Sequence, residues 1–259
     1  MVRFTVIIPV HNEAQILSYT LPSIYRLDAE KAIFVLDRCA DSTELTITRF
    51  WNEKHPNHVD LELIEVKERS KWRKHLGFLY NLGLEKAKSE IVLLSQADIY
   101  HDYVRIKENI QDARRRVISF SVSEHPHISP WNHFVTVVLQ KLRYVLGGNP
   151  FSGLLAISKE QYLKCPLTSE DQLNFDTQLQ SNFKKKGCSY NFIFSRSFNL
   201  RPALVFRGGH EKLLDVGVDR YRIGKPFSNV SLLSIIRLTP EVLVGYMQAK
   251  LNGSARWMK

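Results

Sequence analysis

Ser89-Glu90-Ile91-Val92-Leu93-Leu94-Ser95-Gln96-Ala97-Asp98-Ile99 is an apolar run that stops abruptly at a polar tip carrying one acidic side chain. Four consecutive aliphatic residues leave no polar face, which suits a parallel strand covered on both sides. In an open α/β sheet, ligands collect just beyond the carboxyl ends of such strands, so Asp98 stands where a nucleotide or a metal would sit. Taken alone, the stretch favours a plainer reading in which Asp98 caps whatever follows.

Working outward, Phe4-Thr5-Val6-Ile7-Ile8-Pro9-Val10-His11-Asn12-Glu13 gives a second buried strand closed by a proline and a polar turn. Ile33-Phe34-Val35-Leu36 gives a third, which ends on Asp37. Three apolar strands, each ending in acid or amide and separated by helical stretches, make a parallel sheet with polar groups along one edge. Between them, Ile16, Leu17, Leu21 and Ile24 repeat on one face of a helix over Glu13 to Arg26. Asp41-Ser42-Thr43 opens a second helix through Phe50 and Trp51, with Ser42 or Asp41 as its cap. Leu61 to Val66 alternates as a short strand, and Gly77 to Lys88 reads as the helix that delivers the chain to the central strand.

In that order and at compatible spacing, VIIPVHNE (Val6 to Glu13), FVLDRCADST (Phe34 to Thr43) and NLGLEKAKSEIVLLSQAD (Asn81 to Asp98) resemble the opening signatures of the inverting family 2 glycosyltransferases. The resemblance implies a single α/β domain of the GT-A type over residues 1–230, with a Rossmann-like, mostly parallel central sheet flanked by helices. Residues 231–259 then form a C-terminal helical tail. It implies a hexosyltransferase that moves a sugar from a nucleoside diphosphate sugar to a glycan or lipid-phosphate acceptor, with inversion at the anomeric carbon. It also implies donor contacts from Pro9, His11, Asn12, Glu13, Gln96 and Ala97, and from Asp37, whose carboxylate can accept the imino hydrogen of uracil or guanine. An Asp37 that merely stabilises its loop is the plain alternative.

Lys67, Arg69, Lys71, Arg73, Lys74 and His75 form a dense basic segment, which in that family flanks the donor diphosphate. The usual glycine-lysine-glycine run is missing, and Lys71 and Arg73 are the candidate cations. Where the family commonly has Asp-x-Asp, this chain has Gln96-Ala97-Asp98. Gln96 can hydrogen-bond a ribose or base but supplies no second negative charge. Asp98 matches the aspartate that holds Mg2+ or Mn2+, and one carboxylate suffices when the substrate brings phosphate oxygens. In resembling enzymes a histidine near Arg207 to Lys212 can complete the metal shell, which makes His210 the second metal candidate.

For the general base, the family has Glu-Asp-x-Asp-Leu on a helix ending in basic residues and a glycine. Counting back from Lys184-Lys185-Lys186-Gly187 selects Asp176, whereas a literal match selects Glu170-Asp171 and makes Asp171 the base. Asp176 could also be a first-turn acid favoured by the helix dipole. Two other functions stay open. One is a polyprenyl-phosphate sugar transferase of the dolichyl-phosphate type, motivated by net charge, the tail and the Arg207 to Lys212 loop. The other is a nucleotide-sugar-binding relative without activity, motivated by Gln96.

A chain of 259 residues buries one substantial core and is short for two full domains. Its net charge of +10 suits partners that carry phosphate. Arg114-Arg115-Arg116 and Lys184-Lys185-Lys186 fall late in helix-like segments, where cations suit the helix dipole. There is no aromatic-rich RNA-binding strand motif and no zinc-finger spacing, so nucleic acid is not expected as a partner. Glu124 to His133 concentrates His, Pro and Trp at spacings that suit a shaped loop rather than zinc. No apolar run is long enough to cross a bilayer, and Met1 leads straight into the first strand without a signal peptide. A cytoplasmic protein is expected, with a tail of interleaved apolar and basic residues suited to packing on the core or lying on a membrane face. Cys39, Cys165 and Cys188 then read as reduced thiols.

Overall fold

Strand burial follows from the apolar runs. In β1 (Phe4–Val10) only Pro9 falls short of full burial, in β2 (Lys31–Asp37) only Lys31, and β4 (Ile91–Leu94) is buried throughout. Successive side chains enter opposite layers, as strand geometry requires. Val6, Ile8, Val10, Phe34, Leu36 and Leu93 pack with Leu17, Leu21, Ile24, Ile47 and Trp51, while Ile7, Ile33, Val35, Val92 and Leu94 pack with Leu79, Tyr80, Leu84 and Phe183. A sheet covered on both faces needs continuous apolar strands, which is why the runs lack an alternating polar face.

The computed structural model describes residues 2–54, 58–72, 75–124, 138, 154–169, 175–200, 213–214, 217–218, 220–221, 225–236 and 240–253. The helices are α1 (Ala14–Arg26), α2 (Thr43–Asn52), α3 (His75–Lys86), α4 (Tyr103–Arg114), α5 (Lys159–Lys164), α6 (Phe175–Lys185), α7 (Phe227–Ile236) and α8 (Pro240–Leu251). The remaining strands are β3 (Asp60–Val66), β5 (Ile99–Tyr100), β6 (Ile118–Glu124), β7 (Leu154–Ser158) and β8 (Tyr190–Asn199). They form one sheet in the order β3-β2-β1-β4-β7-β6-β8-β5. The four strands β3, β2, β1 and β4 are parallel, and β7 runs antiparallel to both β4 and β6. The expected α/β architecture, mostly parallel and flanked by helices, is therefore present.

Several details differ from the sequence reading. The helix expected from Gly77 begins at His75, the strand that the sequence pattern predicts over Tyr190 to Ser195 runs on as β8 to Asn199, and the short helix α5 after β7 carries no strong periodic signal. The pattern also predicts a strand over Ala203 to Phe206 and a helix over Phe134 to Leu146; the first lies outside the described residues, as does all but residue 138 of the second.

The chain groups into two compact units, Met1–Glu124 with Arg143–Leu200, and His125–Leu142 with Arg201–Lys259. The second unit thus begins before the tail boundary expected at residue 231. Its described part contains α7 and α8 packed through Val230, Val242 and Tyr246. Leu232, Ile235, Val244, Met247 and Leu251 are exposed on these helices. No helix among the described residues is long and apolar enough to cross a membrane, and all three cysteines are free thiols.

Gly83 sets how closely α3 approaches β1. A Cβ at this position would lie 2.3 Å from Cγ2 of buried Ile7, whose β-branched side chain has little rotamer freedom to yield. Gly83→Ala is expected to lower the unfolding free energy by about 1–3 kcal/mol through overpacking. Urea unfolding checks this, and an unchanged or raised midpoint would show that α3 shifts at no cost.

Candidate functional site at the carboxyl edge of the sheet

The loops after β1, β2 and β4 lie side by side because these strands are neighbours running in one direction. After β1, Asn12 takes a left-handed φ of 52°, a conformation Asn tolerates better than most residues. Its side-chain oxygen accepts from the backbone N–H of Ala40 (2.8 Å) and Asp41 (3.3 Å), tying the first loop to the second. Asp41 returns the connection: its carboxylate accepts from the N–H of Ala14 at 3.2 Å, and from the N–H and hydroxyl of Thr43. Burial works to raise the Asp41 pKa, but the Thr43 side chain and the Ala14 and Thr43 amides hold it below the usual carboxylate range. Ser42 holds the N-cap position of α2 but makes no side-chain capping bond, and Asp41 supplies the side-chain acceptor instead. The same acid also serves the first turn of α1. Glu13 is buried in this clasp and donates its N–H to Thr43 Oγ1 at 2.8 Å.

Asp37 closes β2 with 5% exposure. Arg38 grips it with two bonds, Nε to Oδ1 at 2.8 Å and Nη2 to Oδ2 at 2.9 Å, from a backbone that itself adopts a left-handed φ of 48°. His75, the first residue of α3, adds a bond from Nε2 to Oδ1 at 2.9 Å. The Ser70 N–H lies 3.2 Å from His75 Nδ1, which makes Nδ1 the acceptor and places the ring proton on Nε2, facing Asp37. Half-exposed His11 donates from Nδ1 to the Asp37 carbonyl. Burial pushes the Asp37 pKa up, yet Arg38 and His75 outweigh it and bring the value down from 3.8 to about 2. The native state therefore binds fewer protons than the unfolded chain as the pH drops below 4. The stabilisation from Asp37 is complete above its unfolded pKa and is lost as the pH falls through the folded one. The stability difference between wild type and Asp37→Asn is expected to narrow by about 1 kcal/mol between pH 5 and pH 3. Urea titrations at both pH values check this, and a constant difference would contradict the pairing.

The Ser95-Gln96-Ala97-Asp98 tip is pinned from several sides. Ser95 N–H donates to Ile7 O (3.0 Å), Tyr80 donates its hydroxyl to Ser95 O (2.7 Å), Thr20 donates to Ala97 O (2.8 Å), and Leu200 N–H donates to Asp98 O (2.7 Å). Beneath the tip, His101 joins the Ser95 hydroxyl at 2.8 Å to the Ser23 hydroxyl at 3.2 Å. Full burial pushes the His101 pKa down to about 3, so the ring stays neutral and can both donate and accept. Asp98 is 5% exposed, so it is not the solvent-facing acid that a strand end suggested. Gln96 is half-buried beside it.

The structure thus brings His11, Asn12, Glu13, Asp37, Gln96, Ala97 and Asp98 onto one edge, with Pro9 inside β1. Lys71 is exposed in the segment before α3, while Arg73, Asp171 and His210 lie outside the described residues. Asp176 is the second residue of α6. Asn81 of α3 ties down the segment after α5: its amide donates to Leu167 O at 3.1 Å and accepts from the Tyr162 hydroxyl. Arg38, His75, Asp41, Asn81 and His101 organise the edge without having been singled out as site residues. The sequence cues were that Arg38 and Asp41 sit inside the FVLDRCADST stretch, that Asn81 opens the third, and that His75 ends the dense basic segment.

Among the described residues no group of three or more His, Cys, Asp or Glu side chains is arranged to hold a metal. Among the described residues, a hard divalent cation would be held by Asp98, helped by the Gln96 carbonyl, with phosphate oxygens completing its shell. A separate depression of about 380 Å³, lined by Phe4, Leu27, Tyr103, Ile106 and Lys107, lies at the amino end of β1. Its polar lining is Asp28, Lys107, Gln111 and Arg114, but ligands of open α/β sheets bind at the other edge.

No family model matches the chain. Among solved structures, mannosyltransferase PcManGT from Pyrobaculum calidifontis, in complex with GDP-Man and Mn2+, superposes over 97% of this chain and 75% of its own, with a TM-score of 0.64 at 21% identity. Glucosyl-3-phosphoglycerate synthase from Mycobacterium tuberculosis, in complex with Mn2+, uridine diphosphate and phosphoglyceric acid, covers 86% of this chain and 79% of its own, with a TM-score of 0.56 at 15% identity. TarS 1-349 of Staphylococcus aureus covers 97% and 72%, with a TM-score of 0.55 at 14% identity. In sequence, the poly(ribitol-phosphate) beta-N-acetylglucosaminyltransferase TarS of Staphylococcus aureus is 30% identical over 116 residues, which is 44% of this chain but only 18% of TarS.

Proposed function

Because the chain has the GT-A fold of these glycosyltransferases, we propose that it transfers a sugar from a nucleoside diphosphate sugar to an acceptor, with inversion at the anomeric carbon. The observation that supports this most is the gathering of Asp37, the Asn12–Asp41 clasp and the Ser95 to Asp98 tip at the carboxyl edge of three adjacent parallel strands. In this reading Asp37 receives the base. Pro9, His11 and Glu13 shape the floor between base and ribose, with Gln96 and Ala97 beside the ribose. Lys71 and Arg73 face the diphosphate, where cations offset its charge. Mg2+ or Mn2+, when bound at Asp98, would neutralise the departing nucleoside diphosphate. Asp176 takes the proton of an acceptor hydroxyl while the sugar moves in one displacement. Without Asp176 as base, an acceptor that is already a phosphate, including a lipid phosphate, would serve the same donor site.

Thermal unfolding of the full chain with uridine, guanosine and thymidine diphosphates, each with and without Mn2+, tests the donor reading. A ligand at 100 times its Kd stabilises the fold by about 2.7 kcal/mol. At least one nucleotide is expected to raise the transition markedly, and no shift with any of them would refute the proposal.

The second unit supports an additional reading. Val244, Met247 and Leu251 recur on one face of α8, Leu232 and Ile235 are exposed on α7, and beyond Phe227 the cations Arg237, Lys250, Arg256 and Lys259 accompany a single acid, Glu241. An anionic lipid surface complements both features. Sedimentation with liposomes is expected to rise with acidic lipid content and fall with salt. Equal partition onto neutral and acidic vesicles would contradict it.

A further inference from the structure

We infer that Arg38 makes the Asp37 pocket selective for a uracil edge over a guanine edge. This rests on the donor-site reading and adds the class of base. An ionised carboxylate offers about four lone-pair positions. Among the described residues, Arg38 Nε and His75 Nε2 occupy both positions on Asp37 Oδ1, and Arg38 Nη2 occupies one on Oδ2. A single acceptor position is left. Beside it stands a guanidinium with three N–H groups not used on Asp37, on a side chain 37% exposed. The pair therefore presents one acceptor flanked by donors.

Guanine turns two adjacent donors, N1–H and the N2 amino group, toward a carboxylate, and full recognition needs both oxygens. Here the second oxygen is already taken, so guanine would leave one donor without a partner or would have to displace Arg38. Leaving a buried polar group unmatched costs on the order of 1–3 kcal/mol, which corresponds to about tenfold or more in affinity. Uracil has one imide N–H with a carbonyl on either side. Its N3–H meets the open position on Oδ2, and a carbonyl meets Arg38 whichever way the ring lies. Cytosine offers an amino group beside a ring nitrogen, which fits only one orientation. The left-handed backbone of Arg38 is uncommon for a long side chain. Such strain persists where surrounding contacts over-determine it, and here the pair of hydrogen bonds to Asp37 does so.

The pocket's surroundings keep this pattern in place. His75 cannot release Oδ1 by turning its other face, because Nδ1 is held by both the N–H and the hydroxyl of Ser70. The solved neighbours do not decide the base by fold alone, since one was determined with GDP-Man and another with uridine diphosphate.

Isothermal titration of the full chain with uridine, cytidine and guanosine diphosphates in the presence of Mn2+ tests the inference. The wild type is expected to bind uridine diphosphate at least about tenfold more tightly than the other two. Arg38→Ala frees a second oxygen, so the uridine-to-guanosine ratio should fall to within about threefold, chiefly through a gain for guanosine diphosphate. Arg38→Gln, which keeps a donor but no fork, should fall between them and serves if the alanine variant does not fold. Guanosine or cytidine diphosphate binding as tightly as uridine diphosphate to the wild type overturns the inference while leaving the donor site standing. An undiminished preference in Arg38→Ala also overturns it. Binding of none of the three overturns both.

Discussion

Asp176→Asn is expected to lower turnover by about 100-fold to 10,000-fold while leaving donor affinity unchanged. The range is the typical contribution of a positioned general base, because a sugar hydroxyl is a poor nucleophile until its proton is removed in the transition state. Asparagine is nearly isosteric with aspartate but cannot accept that proton. Asp176 is the second residue of α6, a helix that ends at Lys185 just before the left-handed Gly187. The segment after α5 is anchored to α3 through Asn81, Tyr162 and Leu167. The equivalent change at Asp171 should cost much less. A loss in kcat with KM for the donor unaltered is the signature of an interaction made only in the transition state. If Asp171→Asn is the inactive variant, the base has been assigned to the wrong acid. If both variants remain active, the acceptor arrives ionised and the polyprenyl-phosphate reading takes precedence.

Asp98→Asn is expected to weaken Mn2+-dependent nucleotide binding by about tenfold to a hundredfold, the usual cost of disturbing a metal site's protein partners. Binding in the absence of metal should change much less. The burial of Asp98 makes a folding control necessary, and melting of the free variant provides it. The amide keeps the shape, and the backbone bond from Leu200 to the Asp98 carbonyl is independent of the side chain. Titration of uridine diphosphate with and without Mn2+ reads both effects. Equal metal dependence in variant and wild type would remove Asp98 from the metal-diphosphate contact.

The acids at the strand ends were legible because they follow runs too apolar to lie anywhere but inside a sheet. Asp37 and Asp98 are therefore expected on the same edge from the strand pattern alone. The connections that shape the edge were not legible, since they join residues far apart in sequence. Asn12 reaches Ala40, Thr20 reaches Ala97, and His101 bridges Ser95 to Ser23. No spacing rule encodes such pairs. Strand direction was equally hidden: the apolar run ending at Ser158 reads as a strand, but its period is the same whether it runs parallel or, as here, antiparallel to β4. The cap of α2 was narrowed to two neighbours: Ser42 holds the N-cap position, while Asp41 supplies the side-chain acceptor because its two oxygens can serve the first turns of α1 and α2 together. Helix α7 begins at Phe227, four residues before the tail boundary expected at residue 231.

The central claim is that a nucleoside diphosphate sits on the carboxyl edge of β1, β2 and β4, and amide hydrogen exchange locates such a ligand directly. With uridine diphosphate and Mn2+ added, exchange is expected to slow in the segments His11 to Glu13, Arg38 to Asp41 and Ser95 to Asp98, which frame the site. The depression around Phe4, Leu27 and Tyr103 should keep its free-protein rates. Protection confined to that opposite edge, or absent from all three site segments at saturating nucleotide, would contradict the account.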